Sequence, residues 1–312
     1  MLSVICPIYN EEKYIRQCID SILSQDYPYN DLEVLFVDGM STDCTRAIVT
    51  EYTKQYSHIQ LIDNPHKIVP CAMNIGIHAS KGNIIIRLDA HASYQPDYFS
   101  VLYRYSCELR VENVGVVCKT DVLNKTPKTL AIREVLSNKF GVGNSAFRTG
   151  INQIMEVDTV PFGCWPRSVF DRYGLYDERL IRNQDIELNK RIKHGGGKIV
   201  IVPDTYCTYL ARETFCGLAK NNFGNGKWNI LTVYYTGQLR SLSLRHFIPL
   251  IFLISLILPV LVLFIWPPLG LVAILSILTY LFVIGTISGV LAHKKGLHFG
   301  YLLWSFIVLH VS

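Results

Sequence analysis

The chain has 312 residues, half of them hydrophobic, and its 30 lysines and arginines against 25 aspartates and glutamates give a formal net charge of +5. This length leaves room for one large domain or two small ones. The modest positive charge argues against a nucleic-acid-binding protein and fits a protein that rests against anionic lipid.

Strand-like and helix-like segments alternate through the first ninety residues. Short apolar runs predict strands over residues 2–6, 33–37, 59–62 and 83–88. Helices are predicted over residues 11–25, 46–52 and 71–80. Ser41 or Thr42 is predicted to cap the second helix. Apolar strands that alternate with helices predict an α/β fold with a mostly parallel sheet covered on both faces.

Polar clusters follow three of these predicted strands: "PIYNEE" (7–12), "DGMSTD" (38–43) and "DAH" (89–91). In parallel sheets, ligands gather beyond the carboxyl ends of the strands. The sequence therefore predicts a ligand site at one edge of the sheet. Farther along the chain, residues 185–193 are predicted to form a helix that the glycines at 195–197 end.

The last part of the chain is apolar. Residues 247–266 and 269–292 are each long enough to cross a hydrocarbon core of ~30 Å, and "WPPLG" (266–270) would be the turn between them. The alternative is a buried helical hairpin, but two uncharged stretches in series seldom occur inside soluble folds. Residues 297–311 are too short to span comfortably, so a re-entrant helix, an interfacial helix and a truncated chain all stay open.

Basic residues flank both predicted spans on the same side: Arg240 and Arg245 before the first, Lys294 and Lys295 after the second. The positive-inside rule places that side, and the N-terminal domain, in the cytosol. No signal peptide is recognisable in "MLSVICPIYNEEKY". Nine cysteines without a CxxC pair also fit a reducing cytosol and do not suggest a metal cage.

Six motifs occur in order over about residues 2–230: "CPIYNEE", "VDGMSTDCT", "NPHKIVPCAMNIGI", "RLDAHA", "GLYDERLIRNQDIELNKRIKHGG" and "NFGNGKW". Together they resemble the family 2 glycosyltransferases, which are inverting enzymes of the GT-A fold. The residues of the third and fourth motifs resemble those of a membrane-anchored subgroup typified by succinoglycan glucosyltransferases. The resemblance implies a cytosolic GT-A domain over 1–230, an interfacial linker over 231–246 and a membrane region over 247–312.

The resemblance implies a set of donor-binding residues. Asp38 would accept the imide N–H of the donor's uracil, Tyr9 would lie against the base, and Glu11 would point toward the ribose. Lys67 and Asn74, in the third motif, are expected on the same donor side. Asp38 could otherwise be a turn aspartate, and Glu11 could be a first-turn acid favoured by the helix dipole.

Asp89 and His91 stand where the family carries its Asp-x-Asp motif, which also binds the donor. In the family that motif holds a divalent cation that bridges the donor diphosphate and stabilises the charge of the leaving group. Imidazole is a good ligand for manganese and a poorer one for magnesium. The histidine therefore predicts that Mn²⁺ is preferred over Mg²⁺. A strand-end aspartate with an unrelated histidine is the alternative.

Asp185, in "NQDIEL" (183–188), matches the family's catalytic base, which takes the proton from the acceptor hydroxyl as it attacks the anomeric carbon. Gln184 replaces the acid that commonly precedes it and would lie on the acceptor side. Losing that like charge should make Asp185 easier to ionise. The alternative role for Asp185 is an acid in the first turn of a helix.

Four more residues are expected on the acceptor side. Gly163 and Trp165 lie in "VPFGCWPR", which could also be mere packing. Lys227 and Trp228 lie in "GNGKW" (224–228), where processive polysaccharide synthases have Gln-x-x-Arg-Trp; Trp228 could stack on a sugar or belong to an interfacial helix. The altered motif and the few spans argue against a synthase that extrudes its own polymer.

The sequence thus predicts an inverting hexosyltransferase of the cell (inner) membrane, multi-pass, with its catalytic domain on the cytoplasmic face. It would move one hexose from a UDP-linked nucleotide sugar to a hydroxyl of a polyprenyl-diphosphate-linked saccharide, in exopolysaccharide or cell-surface glycan assembly. Two alternatives keep the same fold: a polyprenyl-phosphate sugar synthase, and a catalytically inactive membrane scaffold.

Overall fold

The computed structural model describes residues 1–143, 145–242, 247–262 and 268–312. They form two compact units, the first of residues 1–119, 145–210 and 232–241, and the second of residues 120–144, 211–231 and 242–312. This division differs from the predicted boundary at residue 230, because two segments from the middle of the chain group with the C-terminal helices.

Nine strands of the described residues form one sheet. They are β1 (Leu2–Ile8), β2 (Leu32–Asp38), β3 (Ile59–Asp63), β4 (Ile84–Arg87), β5 (Ala92–Tyr94), β6 (Asn113–Asp121), β7 (Met155–Glu156), β8 (Cys164–Pro166) and β9 (Ile199–Leu210). The strand order is β3-β2-β1-β4-β8-β6-β9-β5, with β7 beside β9.

The first four strands along the chain are parallel, as the sequence predicts. Ile8 pairs with Asp38, and Asp38 pairs with Asp63, so β1, β2 and β3 end level with one another. The main chain after β4 continues alongside β1, where the Leu88 N–H donates to the Ile5 carbonyl (2.9 Å). The remaining pairs include β4 with β8, β6 with β8 and β5 with β9, which are antiparallel.

The helices follow in chain order. They are α1 (Ile15–Leu23), α2 (Thr45–Gln55), α3 (Val69–Ala79), α4 (Tyr98–Leu109), α5 (Pro127–Leu136), α6 (Lys139–Val142), α7 (Ala146–Thr149), α8 (Ser168–Tyr173), α9 (Gln184–His194), α10 (Phe215–Thr236), α11 (Ile248–Val262), α12 (Pro268–Lys295) and α13 (Phe299–Val311).

Both faces of the sheet are buried, which explains why its central strands are mostly apolar. Successive residues of a strand point to opposite faces. Val4 accordingly packs with Ile15 of α1 on one face, whereas Ile5 packs with Met73 of α3 and Leu188 of α9 on the other. The expected α/β sheet with flanking helices is confirmed.

The start of α2 differs from the prediction. Its N-cap is Cys44, not Ser41 or Thr42. The Ser41 hydroxyl donates to Asp38 (2.5 Å), and the Thr42 N–H donates to Asn10 Oδ1 (2.8 Å), so both residues belong to the loop that precedes the helix.

The glycines after α9 do end it, as predicted. Gly195 is the C-cap, and its N–H donates to the Arg191 carbonyl (3.0 Å). Gly196 has φ +83°, in the left-handed region that favours glycine.

The second unit contains one helix that is long and apolar enough to cross a membrane among the residues described, Gly270–Lys295 within α12. This helix covers the predicted span 269–292. The predicted span 247–266 corresponds in part to α11, which ends at Val262. Arg245 and residues 263–267, which include the first two residues of the predicted turn, lie outside the described residues.

One face of α13 is buried within the second unit. Leu302 and Phe306 are fully buried and cluster with Ala131 and Ile132 of α5. A helix of 13 residues is about 20 Å long. This segment is therefore a short helix packed on α5, and the choice among a re-entrant helix, an interfacial helix and a truncated chain stays open.

The end of α12 is also joined to α5. The Lys295 ammonium lies 2.8 Å from both carboxylate oxygens of Glu134, a side chain that is 8% exposed. The last turn of α12, which carries the basic residues used in the topology prediction, is therefore anchored to a helix that follows β6 in the chain.

Candidate active site

The loops after β1 and β2 are bonded to each other at the carboxyl edge of the sheet. The Asn10 N–H donates to Ser41 Oγ (2.8 Å), Asn10 Oδ1 accepts the Thr42 N–H, and the Glu11 N–H donates to Thr45 Oγ1 (2.7 Å). Asn10 has φ +55°, a left-handed conformation that asparagine tolerates better than most residues. These bonds join the first two predicted polar clusters into one surface, which we call the platform.

Tyr9 and Lys67, both predicted to bind the donor, meet at Gly39. The Tyr9 side chain is exposed, and a Cβ built on Gly39 would lie 3.2 Å from Tyr9 Cδ2 and 3.3 Å from Lys67 Cα. Lys67 is itself exposed, with φ +63°. The glycine therefore allows the tyrosine ring and the Lys67 backbone to approach, and both side chains remain open to a ligand.

Asp38 lies under this platform and is fully buried. Its Oδ2 accepts the Ser41 N–H (3.0 Å) and Arg46 Nη1 (2.5 Å), and its Oδ1 accepts the Ser41 hydroxyl. Arg46 also contacts Asp63 (2.8 Å), and its hydrogen bonds to the two carboxylates raise its pKa. Asp38 thus shapes the loop. Both of its carboxylate oxygens already accept hydrogen bonds from the protein, so a uracil N–H would have to share one of them.

Asn74 is buried, with its amide fully used inside the protein. Its Nδ2 donates to the Tyr176 carbonyl (3.0 Å) and to Glu178 Oε1 (2.9 Å), and its Oδ1 accepts the Tyr176 N–H (3.0 Å). The side chain therefore positions residues 176–178 and presents no free group to a donor. A direct donor contact by Asn74 stays a prediction.

The main chain of Asp89 is held by one hydroxyl. Tyr94 Oη accepts the Asp89 N–H (2.8 Å) and donates to the Asp89 carbonyl (3.1 Å). The carboxylate is 20% exposed, and its Oδ1 lies 3.2 Å from Arg87 Nη2. The aspartate is consequently fixed at its backbone and still open on one side.

His91 lies beside the first cluster. Its Nδ1 is 3.4 Å from Glu11 Oε1, and its ring meets the edge of the Tyr209 ring at a centroid distance of 5.0 Å. The carboxyl edge thus brings Glu11 together with His91, and His91 follows Asp89 by two residues, as the convergence of the motifs predicted.

Asp89 and His91 are the candidate ligands of a cation at this edge. Among the described residues, no three His, Cys, Asp or Glu side chains are arranged to hold a metal ion. Asp89 and His91 offer one oxygen and one nitrogen ligand, a set that fits a cation whose other ligands are phosphate oxygens and water.

Asp185 lies in the first turn of α9. Asn183, with φ +62°, precedes the helix as its N-cap, and Asp185 Oδ1 accepts the Ile186 N–H (2.9 Å). Gln184 is buried, and its Oε1 has no hydrogen-bond partner among the described residues.

Arg87 links Asp185 to Asp89 electrostatically. Burial of this guanidinium opposes its charge, but its interactions with Asp89, Tyr176 and Asp185 outweigh that effect and raise its pKa. The third polar cluster and the predicted base therefore belong to one charged region.

Trp165 and Gly163 are packed in the core, and their expected place on the acceptor side stays a prediction. The Trp165 ring is fully buried against Phe170 (centroids 5.8 Å apart) and Tyr176 (6.4 Å). Gly163 has φ +108°, and a Cβ there would overlap the Trp165 ring and the Asn113 side chain. The packing alternative describes both residues.

Lys227 and Trp228 lie on the part of α10 that belongs to the second unit. Lys227 is exposed and Trp228 is half-buried. Their expected role at the acceptor stays a prediction.

Sequence reasoning missed Arg87, Arg46 and Tyr94. Arg87 is the one ionisable residue in the apolar run 84–88. A buried charge is costly unless it is paired, so an arginine inside a strand that reads as fully buried was a usable signal for a carboxylate partner nearby.

The sequence matches the family described as Glycosyl transferase family 2 over residues 3–177. A dolichyl N-acetyl-α-D-glucosaminyl phosphate 3-β-D-2,3-diacetamido-2,3-dideoxy-β-D-glucuronosyltransferase of Methanococcus voltae is 27% identical over 85% of this chain and 84% of its own. The succinoglycan biosynthesis protein ExoA of Rhizobium meliloti is 27% identical over 72% of this chain and 67% of its own.

Solved structures confirm the fold. The mannosyltransferase PcManGT from Pyrobaculum calidifontis, solved with GDP-Man and Mn²⁺, superimposes with a TM-score of 0.61 over 99% of this chain and 86% of its own, at 16% identity. Residues 1–349 of S. aureus TarS superimpose with a TM-score of 0.53 over 72% of this chain and 65% of that one, at 17% identity. The expected GT-A architecture is therefore present.

Proposed function

The chain belongs to glycosyl transferase family 2 and is a glycosyltransferase, and we propose that it transfers one hexose from a UDP-sugar to a hydroxyl of a polyprenyl-diphosphate-linked saccharide, with inversion at the anomeric carbon. The observation that carries this proposal is the charged region at the carboxyl edge of the sheet. There Asp89, beside His91, and Asp185 of α9 both interact with one buried arginine, Arg87.

The donor would lie on the platform made by the loops after β1 and β2. The exposed Tyr9 ring is placed to stack on the base of the donor. The exposed Lys67 beside it is placed to interact with the negative charge of the donor. Structures of TarS with UDP-GlcNAc and of PcManGT with GDP-Man show that this fold accommodates nucleotide sugars. Asp38 supports the platform and would share its Oδ1 with the uracil N–H.

A divalent cation fits the donor diphosphate at Asp89 and His91. When bound, the cation would stabilise the negative charge that develops on the leaving diphosphate. The imidazole favours Mn²⁺ over Mg²⁺, and Mn²⁺ is present in the PcManGT structure. Glu11 lies beside His91 and would turn toward the ribose or toward this ligand group.

Asp185 would act as the general base. It would accept the proton of the acceptor hydroxyl while that oxygen forms a bond to the anomeric carbon and the bond from that carbon to the diphosphate oxygen breaks. Attack from the face opposite the leaving group inverts the anomeric carbon. Gln184, the residue before the base, would help to shape the acceptor side.

The acceptor would be lipid-linked and would be met at the cytoplasmic face of the cell membrane. The name of the Methanococcus relative specifies a dolichyl-phosphate-linked sugar as acceptor, and ExoA takes part in succinoglycan biosynthesis. The apolar helix Gly270–Lys295 would attach the enzyme to that membrane, together with α11 as a second span. Residues 1–230 would then carry the catalysis, 231–246 would join them to the membrane, and Lys227 and Trp228 would lie near the acceptor.

The proposal is tested by following UDP release from UDP-glucose and other UDP-sugars by the detergent-solubilised protein. Mn²⁺, Mg²⁺ or EDTA is present, with and without a membrane lipid extract. We expect release that needs both metal and lipid, with a glycosylated lipid as product. A product on a bare polyprenyl phosphate would instead identify a polyprenyl-phosphate sugar synthase, and no binding or release of any nucleotide sugar would favour an inactive scaffold.

A further inference from the structure

Arg87 is a buried cation in the floor of the active site. It is the last residue of β4, directly before the segment that carries Asp89 and His91. Its side chain is 7% exposed, and its Nη2 pairs with Asp89 Oδ1 at 3.2 Å. Burying a charge of this kind costs free energy unless the surrounding charges and hydrogen bonds offset that cost.

The charge of this guanidinium is compensated by Asp89, Tyr176 and Asp185, but its hydrogen-bonding groups are only partly used. Nε and Nη1 of Arg87 are buried and have no hydrogen-bond partner among the described residues. The same holds for Trp165 Nε1, Tyr176 Oη and Gln184 Oε1, which all lie on residues of the active-site floor or the core under it. Native proteins leave few buried polar atoms unpaired, so each one calls for an explanation.

Arg167 shows what a structural arginine looks like in this protein. Its Nε donates to the Gly82 carbonyl (2.8 Å), its Nη1 to the Ile77 carbonyl (3.1 Å) and its Nη2 to the Ser80 carbonyl (2.9 Å). All three nitrogens thus tie main-chain segments together. Among the described residues, Arg87 ties no main-chain segment through its side chain, and its salt-bridge partner is the Asp89 carboxylate.

Carboxylates on two separate elements contribute to the charge balance of this guanidinium. Asp89 follows β4 and pairs with it directly, whereas Asp185, in the first turn of α9, acts on it through its charge, and the buried Tyr176 also contributes. Arg87 is therefore placed to hold the Asp89 carboxylate in one orientation.

We propose that Arg87 is a positioning residue of the transfer reaction, which orients Asp89 for the cation and donor diphosphate. The inference rests on the proposed function, since it needs a cation at Asp89. Arg87 acts through this carboxylate and does not itself touch the reacting atoms.

The test compares Arg87→Gln and Arg87→Lys with the matched control Arg167→Gln in the full-length protein. Three quantities are measured: the melting temperature, the affinity for UDP with and without Mn²⁺ by calorimetry, and kcat and KM for the UDP-sugar. Losing a residue that orients a metal-binding carboxylate typically costs about 10- to 100-fold in metal affinity or activity. We expect Arg87→Gln to lower both the Mn²⁺-dependent UDP affinity and kcat by that much.

Arg87→Lys should recover part of both, because it keeps the charge but loses the planar fork. Arg167→Gln should lower the melting temperature and leave the UDP affinity of the folded protein unchanged. The inference is overturned if folded Arg87→Gln equals the wild type in affinity and kcat, or if it changes only the melting temperature.

If Arg87→Gln does not fold, Arg87→Lys decides: wild-type affinity and kcat in that variant, or its failure to fold as well, would assign Arg87 to stability alone. The wild type separates this inference from the proposed function. A wild type that neither binds UDP with Mn²⁺ nor releases UDP refutes the function. An active wild type matched by its Arg87 variants refutes only the role of Arg87.

Discussion

Asp89 shows how single residues prepare this site before any ligand binds. Its backbone is held on both polar groups by the Tyr94 hydroxyl, and its carboxylate is held by Arg87. Neither Tyr94 nor Arg87 is proposed to bind the cation itself. They restrict the motion of the aspartate, so less conformational entropy would be lost on binding the cation and diphosphate that we propose.

Replacing Tyr94 by phenylalanine should therefore loosen Asp89. The change removes two hydrogen bonds and is expected to destabilise the protein by about 1–2 kcal/mol and to weaken Mn²⁺-dependent UDP binding. Thermal unfolding and calorimetry check the two effects. Tyr105→Phe is the control, because it removes a hydroxyl bond to Asp204 on the exposed surface and should cost less than about 0.5 kcal/mol. Equal effects in both variants would contradict the role of Tyr94.

Asp185 is the residue on which the chemistry depends in our proposal. Removing a general base typically costs about 10²- to 10⁴-fold, so Asp185→Asn should lower kcat by that factor and leave UDP affinity intact. Asp171→Asn is a matched control, since Asp171 is an exposed acid in the first turn of α8. Asp185→Asn with normal turnover of a hydroxyl acceptor would rule out Asp185 as the base.

At the scale of elements, α3 approaches β1 closely enough to require a glycine. A Cβ on Gly76 would lie 2.5 Å from Cγ2 of Ile5. This contact presses the helix against the central strand, and the same helix carries Asn74, which holds residues 176–178. The packing of α3 thus affects the position of residues 176–178 in the candidate active site.

Gly76→Ala should consequently destabilise the protein by about 1–3 kcal/mol through overpacking, seen as a lower melting temperature. Gly226→Ala in α10 provides the contrast, because a Cβ there has nothing within 4 Å. Replacing a helical glycine by alanine in open space is expected to stabilise by up to about 1 kcal/mol. A similar loss of stability in both variants would contradict the Ile5 contact as the cause of the effect at Gly76.

At the scale of the whole molecule, the proposed topology places the catalytic residues and the exposed thiols on one side of the membrane. All nine cysteines are free, and Cys44, Cys107 and Cys216 are exposed. A membrane-impermeant maleimide should label these three in inverted vesicles and not in intact cells. Buried Cys6 and Cys164 should react only after unfolding. Labelling of Cys44 or Cys107 from outside the cell would contradict a cytoplasmic catalytic domain.

The sequence by itself determined the order of strands and helices in the first ninety residues and the parallel half of the sheet. Those features follow from local periodicity, because a strand buried on both faces is apolar at every position and a helix repeats every 3.6 residues. The polar clusters after β1, β2 and β4 were equally local, so their meeting at one edge, with Glu11 beside His91, could be predicted.

Only the tertiary structure decided which of the candidate residues are open to a ligand. Asn74 bonds to residues more than 100 positions away, Trp165 is buried under Tyr176, and α13 packs on α5. The roles of Arg87 and Tyr94 were hidden for the same reason. A side chain's burial and partners depend on segments distant in the chain, and no local pattern of residues records which of those segments it will meet.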